Sequence, residues 1–122
     1  MGADRARGSW TEAALSPTEV GPTQIALRPV LAALAEPHRA DLVRLLVSSR
    51  QLRVRDMVAA TGMAQPLVSH HLKVLREAGL VESTAGPGLS VYRLRADTLR
   101  AMAVRLTALA EQAAATADDG PR

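Results

Sequence analysis

Six polar side chains and one proline fall on one side of a single predicted helix, and they are the part of this sequence best suited to chemistry. On a wheel of about 100° per residue, Gln65, Pro66, Ser69, His70, Lys73, Arg76 and Glu77 lie within an arc of about 140°. Leu67, Val68, His71, Leu72, Val74, Leu75 and Ala78 fill the opposite half. The second half can pack on a core while the first offers amide, hydroxyl, imidazole and cationic groups to a partner. Gln can pair with adenine N6 and N7, and Ser can donate or accept at a base edge. His70 can meet a base edge or a phosphate. Lys73 and Arg76, further along, suit phosphates, which set register without reading sequence. His71 sits in the middle of the apolar half, where a buried ring satisfied through one nitrogen is expected.

The elements that would position this face read as follows. Val54 to Ala60 predicts a short helix, with Val54, Met57 and Val58 at helical spacing. Thr61-Gly62-Met63 supplies a turn in which Gly62 can adopt a left-handed conformation. The pair forms a helix-turn-helix pattern, whose second helix enters the major groove of DNA. Gly79 stops that helix. Leu80–Thr84 and Leu89–Leu94 have strand composition, with Ala85-Gly86-Pro87-Gly88 as a hairpin tip. Upstream, Ile25–Ala35 predicts a helix with Leu27, Leu31 and Leu34 on one stripe and Pro29 early in it. Pro37 opens the next, with Leu42, Leu45 and Leu46 inward and Arg39, Asp41 and Arg44 outward, ending near Ser48-Ser49. After the hairpin, Asp97 or Thr98 can cap a last helix. Its Leu99, Met102, Ala103, Leu106, Leu109, Ala110 and Ala113 recur at three- and four-residue steps.

The wording Val68-Ser-His-His-Leu-Lys-Val-Leu-Arg-Glu-Ala-Gly-Leu-Val81, preceded by Glu36-Pro-His-Arg39, resembles the ArsR/SmtB family of bacterial transcriptional regulators over roughly Ala26–Leu109. The fold expected is mostly α with a small β-hairpin (α+β), a winged helix-turn-helix dimerising through its first and last helices. The domain plan is a disordered arm over 1–22, the DNA-binding and dimerisation domain over 23–113, and a disordered tail over 114–122. The resemblance implies a homodimer on an imperfect inverted repeat in a promoter. Gln65, Pro66, Ser69 and His70 would then read bases. Lys73, Arg76, Arg93 and Arg95 would hold the DNA backbone, and Leu27, Leu31, Leu34, Leu99, Met102, Leu106 and Leu109 would join the subunits. Two departures stand out. Ala64 replaces the usual Ser cap of the recognition helix, and the wing tip Gly86-Pro87-Gly88 lacks the usual basic residue.

Many relatives respond to metals, so the family's metal positions can be checked in turn. The Cys-x-Cys site at the start of the helix before the turn corresponds to Arg53 and Arg55 here. The last-helix site keeps Asp97 but has Leu99 at its His position and Ala110 and Ala113 further on. The N-terminal Gly-His is Gly2-Ala3. What remains is His38, with Asp41 or Glu36 beside it, as a candidate for nickel or zinc. The alternative is a regulator with no intrinsic metal site, controlled by a small ligand or a co-regulator protein.

Bulk properties agree. The 122 residues have room for one domain, with no Cys for disulfides, thiolate metal sites or cysteine catalysis. Phe is absent and Trp10 and Tyr92 are the only aromatics, so the core must be Leu, Val, Ala and Met, and a partner subunit is expected. Residues 38–105 hold eleven basic side chains against five acidic ones, while the flanks are net acidic. Neither a signal core nor a spanning segment is visible, so a cytoplasmic protein without a membrane partner is expected. Arg5 and Arg7 of the arm could touch DNA. Enzymatic motifs are missing from the sequence, so it is read as no enzyme. An RNA-binding or protein-binding winged helix is the remaining rival.

Overall fold

The computed structural model describes residues 26–84 and 90–118. The arm over 1–22 with Trp10, the wing tip Gly86-Pro87-Gly88 and the last four residues lie outside them. Among the described residues, five helices and a small antiparallel sheet follow in the order α1 (Leu27–Ala35), α2 (Pro37–Ser48), β1 (Leu52–Arg53), α3 (Val54–Thr61), α4 (Gln65–Glu77), β2 (Val81–Thr84), β3 (Val91–Leu94) and α5 (Ala96–Asp118). This is a winged helix-turn-helix. None of these helices is long and apolar enough to cross a membrane.

Local sequence explains most boundaries. Pro29 lies in the first turn of α1, where no hydrogen bond is lost, so it does not kink the helix. Pro37 opens α2, and the Glu36 carboxylate caps it by accepting from the Arg39 N–H at 3.0 Å. The Asp56 carboxylate reaches back to the Arg53 N–H at 3.0 Å and fixes the start of α3. Gly62 ends α3 at φ 75°, its N–H bonded to Val58 O at 2.9 Å. Thr61 Oγ1 stitches the turn, donating to Met57 O at 2.6 Å and accepting from Met63 N–H at 3.2 Å. Ala64 gives α4 no side-chain cap, as its sequence implies, and Pro66 stiffens the first turn instead. Gly79, at φ 83°, reverses the chain after α4, and Leu80 N–H closes on Leu75 O at 2.9 Å.

Core packing fixes what these elements present. Val68, Leu72 and Leu75 of α4 are fully buried with Leu42 and Leu46 of α2, Val30 and Ala33 of α1, Met57 of α3, and Leu80 and Val81. Burial of each large aliphatic side chain contributes about 1.5–3 kcal/mol. The predicted α1 stripe divides: Val30 and Ala33 face the core, Leu27 and Leu34 are half-covered, and Leu31 is exposed.

Several expectations need correction. The sheet has three strands in the order β1-β3-β2, with Leu52 opposite Tyr92 and Val81 opposite Leu94. The two-residue β1 has too little sequence to show a period. Neither Asp97 nor Thr98 caps α5, which starts at Ala96; the Thr98 hydroxyl donates instead to Gly79 O at 2.6 Å, tying α5 to the end of α4. The last helix also continues through Asp118, past the expected boundary at Ala113, because its Ala-rich end favours helix. Arg39 does not point outward. Its Nε donates to Ala33 O at 2.8 Å, joining α1 to α2.

The turn at Gly62 makes a specific prediction. A Cβ built there meets nothing within 4 Å, so only the left-handed backbone opposes a side chain. Gly62→Ala should lower the unfolding free energy by about 1–2 kcal/mol in urea titrations, and Gly62→Asn by less. Equal stability of all three proteins would contradict the assigned turn.

Candidate nucleic-acid interface

The candidate interface starts from the exposed half of α4. Gln65, Pro66, Ser69, His70, Lys73, Arg76 and Glu77 are all exposed, while Val68, His71, Leu72 and Leu75 are buried. The division follows the predicted wheel, apart from Leu67 at its edge, which is 38% exposed. The four residues expected to read bases occupy the first two turns, and Lys73 and Arg76 follow. Arg76 Nη1 reaches Ser83 Oγ of β2 at 3.4 Å, which places that cation beside the sheet.

The two arginines assigned to the wing take different positions. The Glu82 carboxylate is buried and lies across the ladder from Arg93. Arg93 Nε and Nη2 both donate to Glu82 Oε2, at 3.2 and 3.1 Å. Arg93 keeps part of its surface at the rim. Arg95 is buried, with Nε 3.8 Å from Glu82 Oε1 and Nη2 2.8 Å from Asp97 Oδ2. Its assignment to the DNA backbone is therefore corrected: the guanidinium points inward and joins the wing base to α5. Burial pushes the Asp97 carboxyl up, but the Arg95 hydrogen bond and charge, with the Thr98 N–H, outweigh this and hold it below the ordinary carboxylate range. Glu82 carries no sequence signal for this role, since strand register alone decides that it faces inward.

Behind α4 lies a second polar group, in which the His38–Glu36 pair and the inward-facing His71, each legible in the sequence, come together in a way the sequence does not show. His71 is 5% exposed and packs near the first turn of α2, with its ring stacked on His38 at a centroid distance of 5.8 Å. Arg39 Nη1 donates to His71 Nδ1 at 3.4 Å, so one ring nitrogen is satisfied internally as expected. His71 Nε2 is buried without a hydrogen-bond partner. Burial pushes the ring below the ordinary imidazole range, against the pull of the Glu36 carboxylate. Glu36 Oε2 and His38 Nδ1 lie 3.1 Å apart. Of the two carboxylates weighed beside His38, Glu36 is the one that joins it.

The residues expected to pair subunits separate into two sets. Met102 is corrected to the core, being 5% exposed within its own domain, and Leu99 is half-covered. Leu31, Leu106 and Leu109 are 42–50% exposed. The distal part of α5 from Ala103 to Ala117 is exposed throughout apart from a partly covered Arg105.

With this geometry in place, the sequence pattern of "bacterial regulatory protein, arsR family" matches residues 36–83, which run from the α2 cap through α4 into β2. The transcriptional repressor BigR of Xylella fastidiosa is similar at 30% identity and a TM-score of 0.53, with 66% of this chain covering 83% of that one. The chain belongs to the ArsR family. Among ArsR-family relatives, the HTH-type transcriptional repressor SmtB of Mycobacterium tuberculosis is 42% identical over 65 residues, or 53% of this chain. That match spans 47% of the repressor, about half its length. A homodimeric winged helix-turn-helix DNA-binding domain of a possible ArsR-family regulator of Mycobacterium bovis matches with a TM-score of 0.56 and 29% identity, covering 69% of this chain and 78% of that one.

The buried acid at the wing base sets the prediction here. Glu82→Ala leaves Arg95 and Arg93 without their shared carboxylate, and should cost about 3 kcal/mol, the low end for a broken buried pair, in chemical denaturation. A loss under about 0.5 kcal/mol, the level of surface substitutions, would show that the cluster does not hold the wing to α5.

Proposed function

We propose that this chain is a sequence-specific transcriptional regulator that binds an imperfect inverted repeat in promoter DNA as a homodimer. The observation that carries this is the division of α4. Its apolar half is clamped in the core, and its outward half shows Gln65, Pro66, Ser69 and His70 ahead of Lys73 and Arg76. In helix-turn-helix docking the N-terminal turns of the recognition helix face base edges. Gln65, Ser69 and His70 therefore read bases, Pro66 shapes the first turn, and Lys73, Arg76 and the rim of Arg93 meet phosphates. Dimerisation uses the apolar stripe of Leu27, Leu31, Leu34, Leu99, Leu106 and Leu109. The homodimeric Mycobacterium bovis domain supports this assembly, as does the exposed stripe on α5. Two-fold pairing also places two recognition helices on two half-sites.

The effector assigned first is a divalent transition ion such as nickel, held near His38. Control by a small ligand or a partner protein is the second reading. An open cleft of about 840 Å³ lined by His38, Asp41, Arg44, Thr61 and Met63 favours it.

Anisotropy titrations with labelled duplexes test the DNA reading. The double variant Gln65→Ala, Ser69→Ala should lose about 1–3 kcal/mol of discrimination per contact. Lys73→Ala should weaken binding to all sequences alike and reduce the salt slope by about one. Full discrimination by the double variant, or tighter binding to an RNA pool than to duplex DNA, would refute the assignment. For assembly, Leu106→Glu with Leu109→Glu should give a monomer by sedimentation with helical content retained. It should weaken operator binding by at least about tenfold through loss of bivalency. A dimer that survives both charges would place the interface elsewhere.

A further inference from the structure

The Glu36, His38 and His71 group stands behind the recognition helix, away from the face that meets DNA. A carboxylate oxygen of Glu36 and one ring nitrogen from each histidine all lie within 4.8 Å of one another. The donors come from two elements. Glu36 and His38 flank the start of α2, and His71 projects from the buried side of α4. Their donor types, two imidazoles and one carboxylate, suit zinc, nickel or cobalt better than calcium or magnesium, which prefer all-oxygen shells.

The buried ring also has hydrogen-bonding capacity to spare. Buried ring nitrogens almost always have a partner, yet His71 Nε2 has none. His71 is also the most enclosed member of the group, while His38 is exposed and leaves an approach from solvent. A cation already stands at its edge, since Arg39 Nη1 contacts His71 Nδ1 at 3.4 Å. That contact is long, and Arg39 is anchored separately through its Nε on Ala33 O at 2.8 Å. Its terminal nitrogen can therefore leave Nδ1, as it must whether the ion takes Nδ1 or takes Nε2 and leaves the ring proton on Nδ1, without releasing the α1–α2 junction. Asp41, the other carboxylate near His38, does not join the group.

We propose that Glu36, His38 and His71 form a site for one divalent transition-metal ion, completed by water, that clamps the first turn of α2 to the inner side of the recognition helix. The ion would bind one residue from His70 and on the opposite side of α4 from the bases. Occupation would thus change how the helix is held without touching DNA. This regulatory consequence rests on the DNA-binding reading above, whereas binding of the ion does not.

The test uses the full, metal-free chain and the ions alone. The chain has three histidines. Zn²⁺ titration followed by ring NMR should shift His38 and His71 saturably at one ion per chain, with a smaller shift at His70, whose ring lies 5.5 Å from that of His71. Co²⁺ should give d–d absorption that Zn²⁺ displaces. Glu36→Gln and His38→Ala, both at accessible positions, should each weaken binding at least about tenfold, while Asp41→Asn should leave it unchanged. His71→Gln should do the same as the first two if it folds, and the NMR shifts of wild-type His71 carry the point if it does not. Absence of saturable binding, binding that ignores Glu36→Gln and His38→Ala, or dependence on Asp41 instead would overturn the site. Duplex affinity measured with and without Zn²⁺ should change in the wild type and not in Glu36→Gln. An equal metal effect in both proteins would overturn the clamp. Failure of the metal-free chain to bind any duplex would overturn the DNA reading, while the zinc titration still decides the site.

Discussion

The burial of one side of α4 is the constraint from which the rest of the molecule follows. Val68, Leu72 and Leu75 are withdrawn from water against Leu42, Leu46 and Met57. Rolling the helix by a quarter turn would expose aliphatic surface and drive Ser69 or Lys73 into the core, at several kcal/mol per group. The outward direction of Gln65, Ser69 and His70 is therefore enforced by packing, even though Ala64 provides no cap.

A second fixing point lies beneath the wing. Burying Glu82 and Arg95 is expensive, and their mutual attraction only offsets it if each has further partners. Arg93, Asp97 and the strand ladder supply them. The cluster joins β2, β3 and the start of α5, while Thr98 bonds to Gly79 at the end of α4. These contacts tie the strands at the base of the wing, the end of α4 and the start of α5 together. Arg95 is used for this internal tie.

The polar group behind α4 has a different character. The wing cluster is closed upon itself, whereas the α2–α4 junction keeps a buried nitrogen without a partner, a long guanidinium contact and an open approach past His38. Such a half-satisfied set is costly to maintain. It is also the place where a small change in charge would be felt by the recognition helix most directly, because His71 belongs to that helix.

The sequence by itself determined the two-faced α4, the Gly62 turn, the starts of α2 and α3 at Pro37 and Val54, and the long apolar stripe of α5. Those features depend on neighbours within a turn or two of helix, where residue type and spacing settle the outcome. Tertiary structure alone decided the pairing of β1 with β3, the inward turn of Arg95 and Arg39, the place of Met102 in the core, and the meeting of Glu36 and His38 with His71. Strand register sets which way a strand side chain points, and Arg39 and His71 are 32 residues apart in the chain. Contacts of that kind arise from how whole elements pack, and a local pattern holds no record of them.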